Sequence, residues 1–125
     1  TREAIIRLWH QVHSKGQKME IIQEKENGII HIIIKGRLDS ESAPEADRVV
    51  RKIVTKENIR LLFDICDLEY LSSAGLRLIL MAAKEVYKKG GQIVLCSFNE
   101  RVRKIFESSK LTTAESVAAG LKKFS

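Results

Sequence analysis

Apolar residues between positions 19 and 35 come in two β-branched blocks, MEIIQE at 19–24 and IIHIIIK at 29–35, separated by Glu26-Asn27-Gly28. Glu26-Asn27-Gly28 between such blocks is a hairpin turn signal. Gly36-Arg37-Leu38-Asp39 ends the second strand, and Ser40, Glu41 and Ser42 lead into Ala43-Pro44, where proline suits a first helical turn. Ala46, Val49, Val50 and Ile53 then recur on one helical face up to about residue 55. RLLFDI at 60–65 reads as a short buried strand, and residues 66–72 as a connecting loop. A helix with a broad apolar face runs from 73 to about 87 and is stopped by Gly90-Gly91. QIVLC at 92–96 is another strand, Asn99 caps a helix to about 108, and a last helix from Thr113 carries Val117, Leu121 and Phe124.

The first thirteen residues place Ile5, Leu8, Trp9 and Val12 at helical spacing, with Arg2, Glu3, Arg7, His10 and Gln11 mostly on the other side. Residues 14–18 (SKGQK) form a polar break. The pattern therefore predicts an N-terminal amphipathic helix and linker at 1–18, either appended or cut from a longer chain, followed by one domain at 19–125. The apolar stripe of that helix would pack on the domain, on a missing neighbour, or on a second copy in a homodimer. Strands near 61 and 93 joined by a helix should be parallel, with a right-handed crossover. The fold class is α/β (α+β by some schemes): a small mixed sheet with helices mainly on one face.

Composition narrows the function. The 125 residues are 44% hydrophobic and 30% charged with one proline, which describes a single ordered domain; at 6% aromatic, its core must be aliphatic. Half of the net charge of +6 comes from the first 18 residues (Arg2, Arg7, Lys15 and Lys18 against Glu3). The densest basic cluster, Arg101, Arg103 and Lys104, is interleaved with Glu100 and Glu107 and has only Phe106 nearby, so it reads as a solvated helix face. No direct nucleic-acid partner is expected. No apolar run approaches the ~20 residues of a membrane span, and no secretory signal pattern is visible, so a cytoplasmic protein is expected.

Cys66 and Cys96 lack metal-ligand spacing and form no set with His10, His13 or His31, which leaves two reduced, mostly buried thiols. A glycine-rich phosphate loop, HExxH, GxSxG and a His/Cys nucleophile pair are all missing, so the chain is not expected to be an enzyme or to carry a metal or cofactor. Asp64 and Asp67 read as a strand end and a turn rather than as an acid/base pair.

The most informative stretch is LLFDICDLEYLSSAGLR at 61–77. A buried strand leads through a short connection to Ser72 and Ser73, which open a helix. Serine there caps free backbone N–H groups. A phosphoryl group on such a serine would meet the same donors and the positive end of the helix dipole, adding about −2 charge at a protein contact. Gly75 leaves room for a close approach, and Leu76 offers an apolar contact.

Together with Gly36-Arg37-Leu38-Asp39, Ala43-Pro44-Glu45, the 61–64 strand, Leu71-Ser72-Ser73-Ala74-Gly75-Leu76, Gly90-Gly91 and the 102–106 segment before Leu111, the chain from 19 to about 121 resembles the STAS domain family of bacterial anti-sigma factor antagonists. The order and spacing of these pieces carry the resemblance. It implies partner switching: the unphosphorylated antagonist binds an anti-sigma factor that is also a serine kinase and frees the sigma factor. Phosphorylation reverses this, and a serine phosphatase removes the mark. By position in the motif Ser73 is the implied phosphoacceptor; Ser72 stands where many phosphorylated members carry aspartate and is the second candidate. Asp39, Ser40, Glu41, Ser72, Gly75, Leu76 and Arg77 are the implied partner-facing residues. STAS-like domains also serve as non-phosphorylated subunits of transport or sensor assemblies, which is the alternative. The family usually places another apolar segment before the last helix, and residues 110–113 are too short for a full strand.

Overall fold

One mixed β-sheet organises the chain, with helices on both of its faces. The computed structural model describes the backbone of residues 6–14 and 17–124, with side chains from Met19 to Phe124. The elements run β1 (Ile6–Ser14), β2 (Gln17–Glu26), β3 (Ile29–Leu38), α1 (Ala43–Val54), β4 (Arg60–Asp64), β5 (Leu68–Leu71), α2 (Ser73–Lys88), β6 (Gln92–Cys96), α3 (Glu100–Ser108), β7 (Thr112–Ala114) and α4 (Val117–Leu121). The strand order is β1-β2-β3-β4-β6-β7, with β5 also paired to β3. β1, β2 and β3 are antiparallel neighbours. The pairings of β3 with β4, β4 with β6 and β6 with β7 are parallel, and the β4–β6 pair, joined by α2, is the one expected from the sequence.

The β2–β3 turn forms as the Asn-Gly signal predicts. Asn27 and Gly28 both take positive φ, 54° and 77°, the backbone of a type I′ hairpin. Cross-strand rows Ile30–Leu61–Ile93 and Ile32–Phe63–Leu95 follow from the register and build the main core. Onto that face α1 lays Ala46, Val49, Val50 and Ile53, the stripe legible in the sequence, and α2 adds Leu78, Ile79, Ala82 and Val86. The opposite face is covered more thinly, by α4 over Leu62, Val94 and Cys96.

Four expectations are corrected. The helix predicted over 1–13 is not formed where the chain is described: residues 6–14 are strand β1, paired from Ile6↔Lys25 to Ser14↔Gln17, while 1–5 lie outside the described residues. Ile6, Leu8 and Val12 do fall on a two-residue period, broken at Trp9 and His10, and the long edge of β2 offers backbone groups to pair, so pairing rather than the residue pattern settles the strand. A helix this short gains little by itself. The helical stripe that would have made a homodimer contact is therefore not formed, and of the 14–18 break, residues 15–16 lie outside the described residues.

The loop expected at 66–72 contains β5. Because β4 pairs with β3 only over Ile29–Ile33, the second half of β3 has a free side, and β5 fills it through Gly36↔Leu68, Arg37↔Tyr70 and Leu38↔Leu71. Lastly, β7 pairs with Val94–Cys96 where no strand was expected, and the last helix starts after Ser116, whose Oγ accepts from Ala119 N, rather than at Thr113. Three residues of strand suffice when a parallel neighbour already supplies the donors and acceptors.

Candidate functional site

Parallel strands deliver their C-terminal ends to one edge of the domain, and the motif serines sit there. β5 runs directly into Ser72, the N-cap of α2, whose extended backbone (φ −87°, ψ 173°) turns its Oγ to accept from Gly75 N at 3.3 Å. The Ser72 amide donates to the Leu38 carbonyl at 2.9 Å, so the start of α2 is tied to the end of β3. Ser72 is half-buried and occupied as a cap, whereas Ser73, the first helical residue, is exposed. Gly75 is buried beneath the site: a Cβ there would lie 2.7 Å from Leu71 Cδ1 and 2.8 Å from Leu38 Cγ. Its part is to let the first turn of α2 sit close on the β3 and β5 ends. Leu76 is half-buried, and Arg77 is exposed one turn beyond Ser73.

The β3–α1 connection builds the other half. Asp39 Oδ1 accepts from the Ser42 and Glu41 amides, each at 3.0 Å. Ser42 Oγ accepts from Asp39 N at 3.0 Å and donates to the Arg37 carbonyl at 2.8 Å. The Ser42 amide is the main reason the Asp39 carboxyl is held below its usual range; the Glu41 amide, the Ser42 hydroxyl and the Arg37 charge act in the same direction, and partial burial opposes them. The loop therefore presents a fixed negative charge with Ser40 and Glu41 exposed beside it. Arg37 lies 4.0 Å from Asp39 Oδ2 through Nε and stacks over the Tyr70 ring at 4.2 Å.

Sequence reasoning missed Arg37, Ser42 and Tyr70 as parts of this arrangement. Recognising LEYL as a strand would have paired Tyr70 with Arg37. It missed Phe98 as well, which is 66% exposed in the β6–α3 connection and borders a groove of about 160 Å³ with Tyr70, Leu71 and Val102. The carboxylate of Asp64 accepts from Cys66 N at 2.9 Å, the strand-ending role expected of it. Cys66 and Cys96 are free thiols, and burial, reinforced by the Asp64 charge, pushes both up to about 12. Among the described residues no cluster of three or more His, Cys, Asp or Glu side chains could hold a metal, and no helix is long and apolar enough to cross a membrane.

The capped start of α2, which carries the exposed Ser73, and the ordered acidic loop after β3 thus meet at the same edge of the sheet. The family model for the STAS domain matches residues 4–121, and the chain belongs to that family. A Bordetella bronchiseptica protein, BtrV, provisionally named an anti-sigma factor antagonist, is 33% identical over 91 residues, covering 73% of this chain and 78% of that protein. The anti-sigma-B factor antagonist of Listeria monocytogenes is 28% identical over 91 residues, 73% of this chain and 80% of its own. Among solved structures, an anti-sigma factor antagonist from Mycobacterium paratuberculosis superposes with a TM-score of 0.73 at 17% identity, covering 83% of this chain and 92% of that one. The unphosphorylated form of the anti-sigma factor antagonist SpoIIAA gives 0.63 at 13% identity, covering 89% and 91%. By sequence the chain thus groups with the anti-sigma factor antagonists.

Proposed function

We propose that this protein is an anti-sigma factor antagonist that acts by partner switching, with Ser73 as its phosphoacceptor. In the unphosphorylated state it binds an anti-sigma factor with serine-kinase activity and so frees the sigma factor. The kinase moves the terminal phosphoryl group of ATP to Ser73 Oγ, the hydroxyl proton is lost, and ADP leaves. A serine phosphatase hydrolyses the phosphoester and restores the binding form. The antagonist itself needs no cofactor and contributes no catalytic group.

The observation that carries this reading is the exposure of Ser73 at the first position of α2, beside the Asp39–Glu41 loop, while the neighbouring Ser72 hydroxyl is occupied by the Gly75 amide. Phosphate at Ser73 is tolerated by this chain: the N-terminal N–H groups and helix dipole favour it, and Arg77, four residues on, lies on the same face. The same charge is unfavourable for a partner that must desolvate it on binding. Asp39, Ser40, Glu41, Leu76 and Arg77 complete the partner-facing surface, with Gly75 supporting it from below.

The test is intact mass after incubation with the cognate kinase-type anti-sigma factor and ATP, followed by peptide mapping. One phosphate on Ser73 is expected. A phosphate on Ser72 instead would move the acceptor by one residue. A stable complex without phosphate would leave a binding module whose serines are caps, and neither phosphate nor complex would favour a subunit of a transport or sensor assembly.

A further inference from the structure

The exposed face of α2 that begins at Ser73 continues through Arg77, Leu80, Lys84 and Tyr87 in steps of three or four residues, with Lys88 four residues beyond Lys84 on the same side. Its far end opens into a groove of about 620 Å³ between the second half of α2 and the segment following α3. Ala83 and Leu111, both buried, floor it; Leu80 is half-buried and Tyr87 is 44% exposed. Lys84 and Lys88 are exposed at its rim, and neither has a carboxylate partner among the described residues. Glu85, the only acid of α2, lines a different groove with Arg51 and Lys89.

We propose that this groove docks an acidic amphipathic helix of a protein partner. The apolar residues of that helix would enter over Ala83 and Leu111 against Tyr87, and its carboxylates would meet Lys84 and Lys88. Charge argues against a second copy as the occupant, because an isologous contact would bring two copies of this lysine pair into one interface. The contact is independent of the phosphate switch. Along the helix Ser73 is separated by roughly 16 Å from Lys84 and roughly 22 Å from Lys88, about two Debye lengths or more at physiological salt. A partner held here stays tethered whether or not Ser73 carries phosphate. The inference does not rest on the switch.

The test uses the isotope-labelled full chain and a blocked peptide of leucine and glutamate with leucines at i, i+3, i+4 and i+7; its control carries lysine in place of glutamate. The acidic peptide is expected to shift the amides of Leu80, Lys84, Tyr87, Lys88 and Leu111, less so as salt is raised. The exposed double variant Lys84→Glu/Lys88→Glu should weaken it by roughly fivefold, while Ser73→Glu leaves it unchanged. Equal binding of the basic peptide would overturn the proposal, as would no shift in a monomeric chain. Sedimentation showing a dimer whose interface protects these residues would also overturn it, in favour of a second copy.

Discussion

Gly75→Ala tests whether the site depends on how closely α2 approaches the ends of β3 and β5. The added methyl would sit 2.7 Å from Leu71 Cδ1, 2.8 Å from Leu38 Cγ and 3.0 Å from Leu38 Cδ2. Leu71 can swing its terminal methyl aside. Leu38 cannot yield as easily, because the close atom is the branch point and the residue is fully buried. Overpacking of this kind costs about 1–3 kcal/mol, against which alanine returns up to about 1 kcal/mol of helix propensity. The net expectation is a loss of about 1–2 kcal/mol. With unfolding entropy near 2.1 cal/mol/K per residue, each kcal/mol lowers the Tm of this chain by about 4 °C. Gly91 supplies the comparison: a Cβ there would lie 2.4 Å from the Ile59 carbonyl oxygen, which is backbone and cannot rotate away, so Gly91→Ala should be the more damaging. Urea and thermal unfolding of both variants check this order. A Gly75→Ala protein as stable as the parent would refute the packing argument, and so would Gly91→Ala as the milder change.

Because Ser72 rather than Ser73 is the cap, Ser72→Ala should cost about 1 kcal/mol in urea unfolding, whereas Ser73→Ala should be nearly neutral; the reverse order would reassign the cap. In binding assays Ser73→Ala should keep the anti-sigma factor and lose phosphorylation, and Ser73→Glu should bind more weakly; equal binding by both would remove Ser73 from the switch. The lowered pKa of Asp39 means its ionised form adds stability that is present above the ordinary aspartate value, about 3.9, and is lost as pH falls through the lower folded value. Asp39→Asn should therefore flatten the stability profile below about pH 4, and parallel acid profiles would contradict the assigned hydrogen bonds. With both thiols raised to about 12, native Cys66 and Cys96 should react slowly with a disulfide reagent at pH 8 and quickly in urea; fast native labelling would show an activated thiolate.

The sequence alone determined the elements whose signal is local. The α1 stripe, the Asn27-Gly28 turn and the two serines that open α2 each depend on residues within a few positions, so periodicity and cap chemistry were enough to read them. The candidate site was legible for a related reason: Asp39 and the serines lie in short local phrases, GRLD and LSSAG. Tertiary structure decided β1, β5 and β7. The first had a pattern closer to the helical period than to its own, and the other two were too short to show one. Each is held by pairing with a neighbour, β1 on the edge of β2, β5 on the vacant half of β3, β7 beside β6, and a strand that exists through its partner leaves little mark on its own residues. The stack of Arg37 on Tyr70 and the fit of Gly75 under Leu38 are likewise contacts between residues 33 and 37 positions apart, which only the assembled sheet brings together.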